Sequence, residues 1–159
     1  MRYIFDTVAL NMMIKSGVDT AQFDRDHEYY ITPVQRGEIL MTKDWRLRGK
    51  LLEGLKVIEN STPVASVRIR SAPWGHFPWG HGPWGGGDGK YHPDILRRLS
   101  ECRGNTSRRG NNEDALIIEV CKINMMTLVT NDKAAQQLSG DLGVSWVSVN
   151  AFLGGWGLG

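Results

Sequence analysis

Cysteine is scarce in this chain, long apolar runs are missing, and neither sign of charge dominates. The two cysteines, Cys102 and Cys121, come with no charged-then-apolar leader and no small-residue cleavage site, which argues against secretion and for a reducing, cytoplasmic setting. The longest apolar run near the start, Val8 to Ile14, is interrupted by Asn11 and falls far below the ~20 residues a membrane span needs, so a soluble protein without a membrane partner is expected. Nineteen Lys and Arg against seventeen Asp and Glu leave a net charge of +2, which neither demands nor excludes a polyanionic partner. How the charges are distributed matters more than their sum.

What is present suffices for one sizeable core. At 159 residues and 41% apolar composition, a single domain spanning 1–159 is expected. Arg2-Tyr3-Ile4-Phe5-Asp6 is a short aromatic and β-branched run ending in an acid, and the helically spaced stretch Thr7 to Lys15 follows, with Gly17 as its stop. A second unit repeats the scheme: Tyr29 to Thr32 as strand, Pro33 opening a helix, and Val34 to Met41 continuing it. Residues Asp44 to Glu59 interleave Trp45, Leu47, Leu51, Leu52, Leu55 and Ile58 with basic residues at amphipathic helix spacing.

Past Ser61 the composition changes. Pro73 to Gly89 reads PWGHFPWGHGPWGGGDG, a five-residue near-repeat with neither a helical nor a strand period, and its Pro and Gly density opposes both. One long irregular loop insertion at about 61–110 is therefore expected, carrying a short helix at Pro93 to Ser100 and a basic run of Arg97, Arg98, Arg103, Arg108 and Arg109. Order returns with Asn112 as cap of a helix from Glu113 to about Asn124, its first turn acidic, where the helix dipole favours negative charge. A strand at Met126 to Thr130, a helix at Asp132 to Leu142 and a strand at Val144 to Val149 complete the pattern. Strands alternating with helices predict an α/β fold with a central parallel sheet covered on both faces.

In an open parallel sheet, ligands bind beyond the carboxyl ends of the strands. Asp6 directly follows the first strand, Asp132 lies two residues past a later one, and Glu38 and Asp114 lie near helix starts that can face the same edge. Asp114 shares a helical face with Ile117, Ile118 and Cys121, which turns it toward the core side. Each acid alone has an ordinary reading as a cap or first-turn residue; their joint occurrence carries the signal. Two unit charges ~4 Å apart repel by about 4 kcal/mol at an effective dielectric of about 20, so converging carboxylates require cations or protons. Oxygen ligands without accompanying Cys or His suit Mg²⁺ or Mn²⁺, and hydrolysis of a phosphodiester is the natural chemistry of such a site.

These stretches resemble a known family. Ile4-Phe5-Asp6-Thr7-Val8-Ala9-Leu10 is similar to the opening of PIN domains, and Thr32-Pro33-Val34-Gln35-Arg36-Gly37-Glu38-Ile39 to their second motif. Glu113-Asp114-Ala115-Leu116-Ile117 resembles the third motif and Leu128-Val129-Thr130-Asn131-Asp132 the fourth, over roughly residues 2–58 and 111–150. The resemblance implies a PIN-like, Rossmann-like fold of three α/β/α layers and a Mg²⁺- or Mn²⁺-dependent endoribonuclease cleaving single-stranded RNA. Asp6, Glu38, Asp114 and Asp132 would be its catalytic metal ligands, with Thr130, Asn131 and Thr7 assisting. Glu113 competes with Asp114 for the inward place, and helical geometry favours Asp114. Small members of the family are often toxins paired with an antitoxin protein and form homodimers, so both partners are expected by the same resemblance. The stretch from about 61 to 110 is longer than a compact version of that fold requires.

Trp74, Trp79 and Trp84 offer a stacking platform for single-stranded RNA, and Arg97, Arg98, Arg103, Arg108 and Arg109 offer phosphate contacts that acids alone would repel. Both sets equally suit a self-packed loop and a solvated turn. His76 and His81 are too few for a closed zinc site with no cysteine nearby. A phosphoacceptor domain wants paired acids after the first strand and a lysine after the last, which Phe5-Asp6-Thr7 and Trp146 to Asn150 do not supply. The remaining alternative is a non-catalytic RNA-binding or regulatory module on the same fold.

Overall fold

The structure is a computed structural model that describes residues 1–19, 23, 26–61, 91–103 and 108–155, with the backbone alone at 33, 34, 57, 59–61, 108 and 109. The first half contains β1 (Arg2–Phe5), α1 (Thr7–Lys15), β2 (Glu28–Tyr30), α2 (Pro33–Leu40) and α3 (Trp45–Ser61). The second contains α4 (His92–Cys102), α5 (Arg108–Asn124), β3 (Thr127–Val129), α6 (Lys133–Asp141), β4 (Trp146–Val147) and α7 (Val149–Gly154). The strands form one all-parallel sheet in the order β2-β1-β3-β4.

Alternation along the strands builds two cores. Tyr3 and Phe5 of β1, Tyr29 of β2 and Val129 of β3 face one side, where they meet Leu10 and Met13 of α1, Ile39 of α2, Leu51 and Leu55 of α3, and Phe152 of α7. Ile4, Tyr30 and Leu128 face the other side and meet Ile95 and Leu99 of α4, Leu116 and Ile117 of α5, and Leu138 of α6. A strand buried on both faces has no polar side to show, which is why these segments are almost wholly apolar. Helices on both sheet faces give the α/β arrangement that the alternation of elements predicts, compatible with three layers.

Local signals explain most boundaries. Thr32 and Gln35 form a capping box at the start of α2, each side chain accepting from the other's backbone N–H, with Pro33 just inside. Three helices end in the same way, with an N–H bonding back five residues: Val18 to Met13 at 3.0 Å, Met126 to Cys121 at 2.9 Å and Val144 to Ser139 at 2.8 Å. This turn needs a left-handed residue, and Gly17 and Gly143 supply it at φ +75° and +69°. In α5 the position is Met125 at φ 53°.

Three expectations change. The helix expected from Glu113 begins at Arg108, so Asn112 lies inside it and is no cap, and its first turn contains no acid. Asn111, fully buried, turns its side chain to Ser100 Oγ at 3.2 Å and to Arg103, which draws this segment against α4 and into the helix. The last strand shrinks to Trp146–Val147, because Ser148 caps α7 by accepting from Ala151 N–H at 3.2 Å. The start of the glycine-rich tail is this helix, and its Phe152 is 3% exposed among Tyr3, Phe5, Phe23 and Tyr29, with ring centroids 5.2 Å from Tyr3 and 5.3 Å from Phe5. Residues 73–89, with Trp74, Trp79 and Trp84, lie outside the described residues.

Two substitutions test this account by urea unfolding. Phe152→Ala removes a buried ring and is expected to cost about 3–5 kcal/mol. Met125→Gly is expected to stabilise by roughly 0.5 kcal/mol, since a left-handed L-residue costs ~1–2 kcal/mol and glycine's extra unfolded-chain entropy ~0.5–1. A loss of stability in Met125→Gly would refute the left-handed turn at that position.

Candidate functional site

The chain passes from β1 to β2 on one side and later returns to place β3 on the other, so the topological switch point falls between the carboxyl ends of β1 and β3. Crevices at such points are where open parallel sheets bind ligands. Asp6 and Thr130 stand there as the first residues past Phe5 and Val129, which are paired in register. Their backbones continue the ladder, Asp6 N–H donating to Val129 O at 3.1 Å and Thr130 N–H to Val147 O at 3.0 Å.

Asp6, 6% exposed, caps α1 by accepting from Ala9 N–H and also accepts from the Thr130 hydroxyl. That hydroxyl accepts in turn from Asp132 N–H at 3.0 Å, so one threonine ties two acids together. Asp132 caps α6 through Ala135 N–H at 2.8 Å. Glu38 lies in the second turn of α2, not the first, and accepts from the Thr7 hydroxyl. Asp114 and Glu113 both reach the cluster: Asp114 toward Asp6 and Asp132, Glu113 toward Glu38. The choice between these adjacent acids is thus resolved by both taking part. Asn131 points elsewhere, its Oδ1 accepting from Val149 N–H at 3.0 Å and its Nδ2 lying 3.2 Å from Met12 Sδ.

Burial and mutual repulsion show in the proton affinities. Asp6 is pushed up to about 6, first by burial, against the pull of Thr130 and Ala9, with Asp114 and Asp132 adding repulsion. Glu38 is raised by burial and then by the neighbouring Glu113 carboxyl, with which it shares a hydrogen bond. Asp114 is also raised by burial, partly offset by Arg103. Burial pushes Asp132 up as well, but the Ala135 N–H and the Arg103 guanidinium outweigh it and hold this acid below its ordinary value.

Among the described residues, Arg103 is the cation paired with this cluster. Its Nη1 lies 2.7 Å from Asp114 and its Nη2 3.0 Å from Asp132, with the side chain 19% exposed. Two other arginines of the basic run are engaged away from the acids. Arg97 pairs along α4 with Asp94 at 2.7 Å and Glu101 at 2.6 Å, and Arg98 pairs with Asp141 at 3.0 Å. The side chains of Arg108 and Arg109 lie outside the described residues.

Two contributors carry no signal of their own in the sequence. Asn111 accepts from Arg103 Nη1 at 2.8 Å. Glu119, 2% exposed, accepts from the N–H groups of Tyr91 at 3.2 Å and His92 at 3.1 Å, and so caps α4, the helix whose far end presents Arg103. The nearest hint was the position of the basic run, directly before the helix that carries Asp114.

The donor chemistry of the edge fits a hard divalent cation, since crowded carboxylates whose proton affinity is raised by burial and mutual repulsion are oxygen donors that a cation would stabilise. Among the described residues, no three acidic, His or Cys side chains already surround one cation-sized position. Asp114 and Asp132 are instead drawn to Arg103. Compared with protein-family models and with curated proteins, the chain matches none.

Asp6 makes stability depend on pH with a definite sign. Its folded value, about 6, exceeds the unfolded 3.8, so the folded chain binds more protons between these values and loses stability as pH rises through about 6. Glu38 and Asp114 shift the same way. The metal-free protein should be more stable at pH 5 than at pH 8, by roughly 1.4 kcal/mol from Asp6, and Asp6→Asn should flatten the profile. A midpoint that climbs from pH 5 to pH 8 contradicts this electrostatic picture.

Proposed function

We propose that the chain is a PIN-like, Mg²⁺- or Mn²⁺-dependent endoribonuclease. One observation carries the reading: acids from four separate elements meet at the switch point of a parallel sheet, close enough that Asp114 and Asp132 both raise the proton affinity of Asp6. Such a concentration of buried, repelling carboxylates costs stability, and perturbed groups of this kind cluster where chemistry is done. The order and placement of the four motifs support the choice of RNA as substrate. The toxin half of a toxin–antitoxin pair, acting in the cytoplasm as a homodimer, is the setting this resemblance favours.

Asp6, Glu38, Asp114 and Asp132 would hold the cation, which supplies an acidified water to attack phosphorus and charge to stabilise the leaving oxygen. The chain's own part is positioning. Thr130 fixes Asp6 and Asp132 relative to each other, while Thr7 fixes Glu38. A carboxylate whose rotamer is set in advance loses little freedom when it engages a ligand.

The alternative, a non-catalytic RNA-binding module, draws on the Arg103 ion pairs, which give Asp114 and Asp132 a structural use. Incubation of single-stranded RNA with purified protein and Mn²⁺ separates the two. The nuclease reading expects cleavage that EDTA abolishes and that Asp6→Asn slows by at least about 100-fold, the scale of losing one group that stabilises a transition state. Intact RNA after incubation with the wild-type protein, or equal cleavage by Asp6→Asn, leaves the binding module as the better account.

A further inference from the structure

We propose that Arg103 is a built-in competitor for the divalent cation, an autoinhibitory side chain that sets how much cation the protein needs before its acids become a working site. The inference rests on the metal-dependent reading above and goes beyond it by assigning a role to a residue outside the four motifs.

Arg103 places one nitrogen on each of two carboxylates from different elements: Asp114 in α5 at 2.7 Å and Asp132 at the start of α6 at 3.0 Å. A divalent ion joining the same two acids would occupy the space this fork fills. Two positive groups within ~4 Å of each other repel, so the guanidinium and the ion exclude one another by charge as well as by volume.

The arginine is braced in this position. Nη1 also donates to Asn111 Oδ1 at 2.8 Å, and the fully buried Asn111 donates from Nδ2 to Ser100 Oγ at 3.2 Å. By contrast, the Arg97 side chain is 60% exposed and pairs with Asp94 and Glu101 of its own helix. A planar fork held at both nitrogens by carboxylates is the strong form of the charge-assisted hydrogen bond, and lysine cannot reproduce it. Exchange requires this fork to leave Asp114 and Asp132 as the cation arrives.

The test compares Mn²⁺ binding to the full chain, followed by the electron paramagnetic resonance of free Mn²⁺, in wild type, Arg103→Gln and Arg103→Lys. Removing the competitor should tighten binding about tenfold or more in Arg103→Gln, with Arg103→Lys in between. Unchanged or weaker binding in a folded Arg103→Gln overturns the proposal and leaves the nuclease reading standing. If neither wild type nor Arg103→Gln binds Mn²⁺ at millimolar concentration, both fall together. Should the variants fail to fold, the wild type still decides: Mg²⁺ titration should shift the Arg103 Nε–Hε resonance as the ion binds, and binding that leaves this resonance unmoved rules the exchange out.

Discussion

Carboxylates brought together at the edge of a sheet repel each other, and much of the local structure around the switch point answers that repulsion. Asp6 cannot leave the edge, because β1 is paired on both sides and its backbone ladder continues through Asp6 itself. The chain therefore spends neutral donors on it, from Ala9 and Thr130, and lets its proton affinity rise. Where hydrogen bonds and protons do not suffice, a guanidinium is added between Asp114 and Asp132. A protein selected for stability alone would put apolar or amide side chains at these positions; keeping acids there costs stability.

Thr130 shows how finely the edge is arranged. A hydroxyl has one proton to give and lone pairs to receive, and here it gives to the Asp6 carboxylate and receives from the Asp132 backbone. Valine would keep the volume and lose both contacts. The acids at the ends of β1 and β3 are thereby held as a unit, whereas Glu38 depends on the separate placement of α2 by its capping box.

The features legible in the sequence were those decided locally. Tyr3-Ile4-Phe5 forms a strand, Gly17 ends α1, and Pro33 opens α2, each from side-chain chemistry acting within a few residues, although Thr32, expected in the strand, caps α2 instead. The features that were not legible are decided by partners far along the chain. Asn112 looked like the cap of α5 because nothing local says that its neighbour Asn111 is wanted by Ser100 and Arg103. Met125 takes a left-handed turn that composition assigns to glycine, and Phe152 stands in a glycine-rich stretch yet fills an aromatic pocket made by the first two strands. Asp6 and Asp132 were found from their positions after strands, and Asp114 and Glu38 from helix positions and the resemblance of their motifs; the arginine that pairs with Asp114 and Asp132 was found only as one of a basic run.

That aromatic pocket bears on the order in which the molecule can assemble. Tyr3 and Phe5 lie in β1, while the ring that covers them is residue 152, and the hydroxyl that steadies Asp6 is 124 positions away. Contacts of such separation close late, because a long loop must be ordered before they repay its entropy. On a growing chain β1 emerges with neither its cover nor its acidic neighbours, so the acid cluster cannot be complete until Asp132 has left the ribosome.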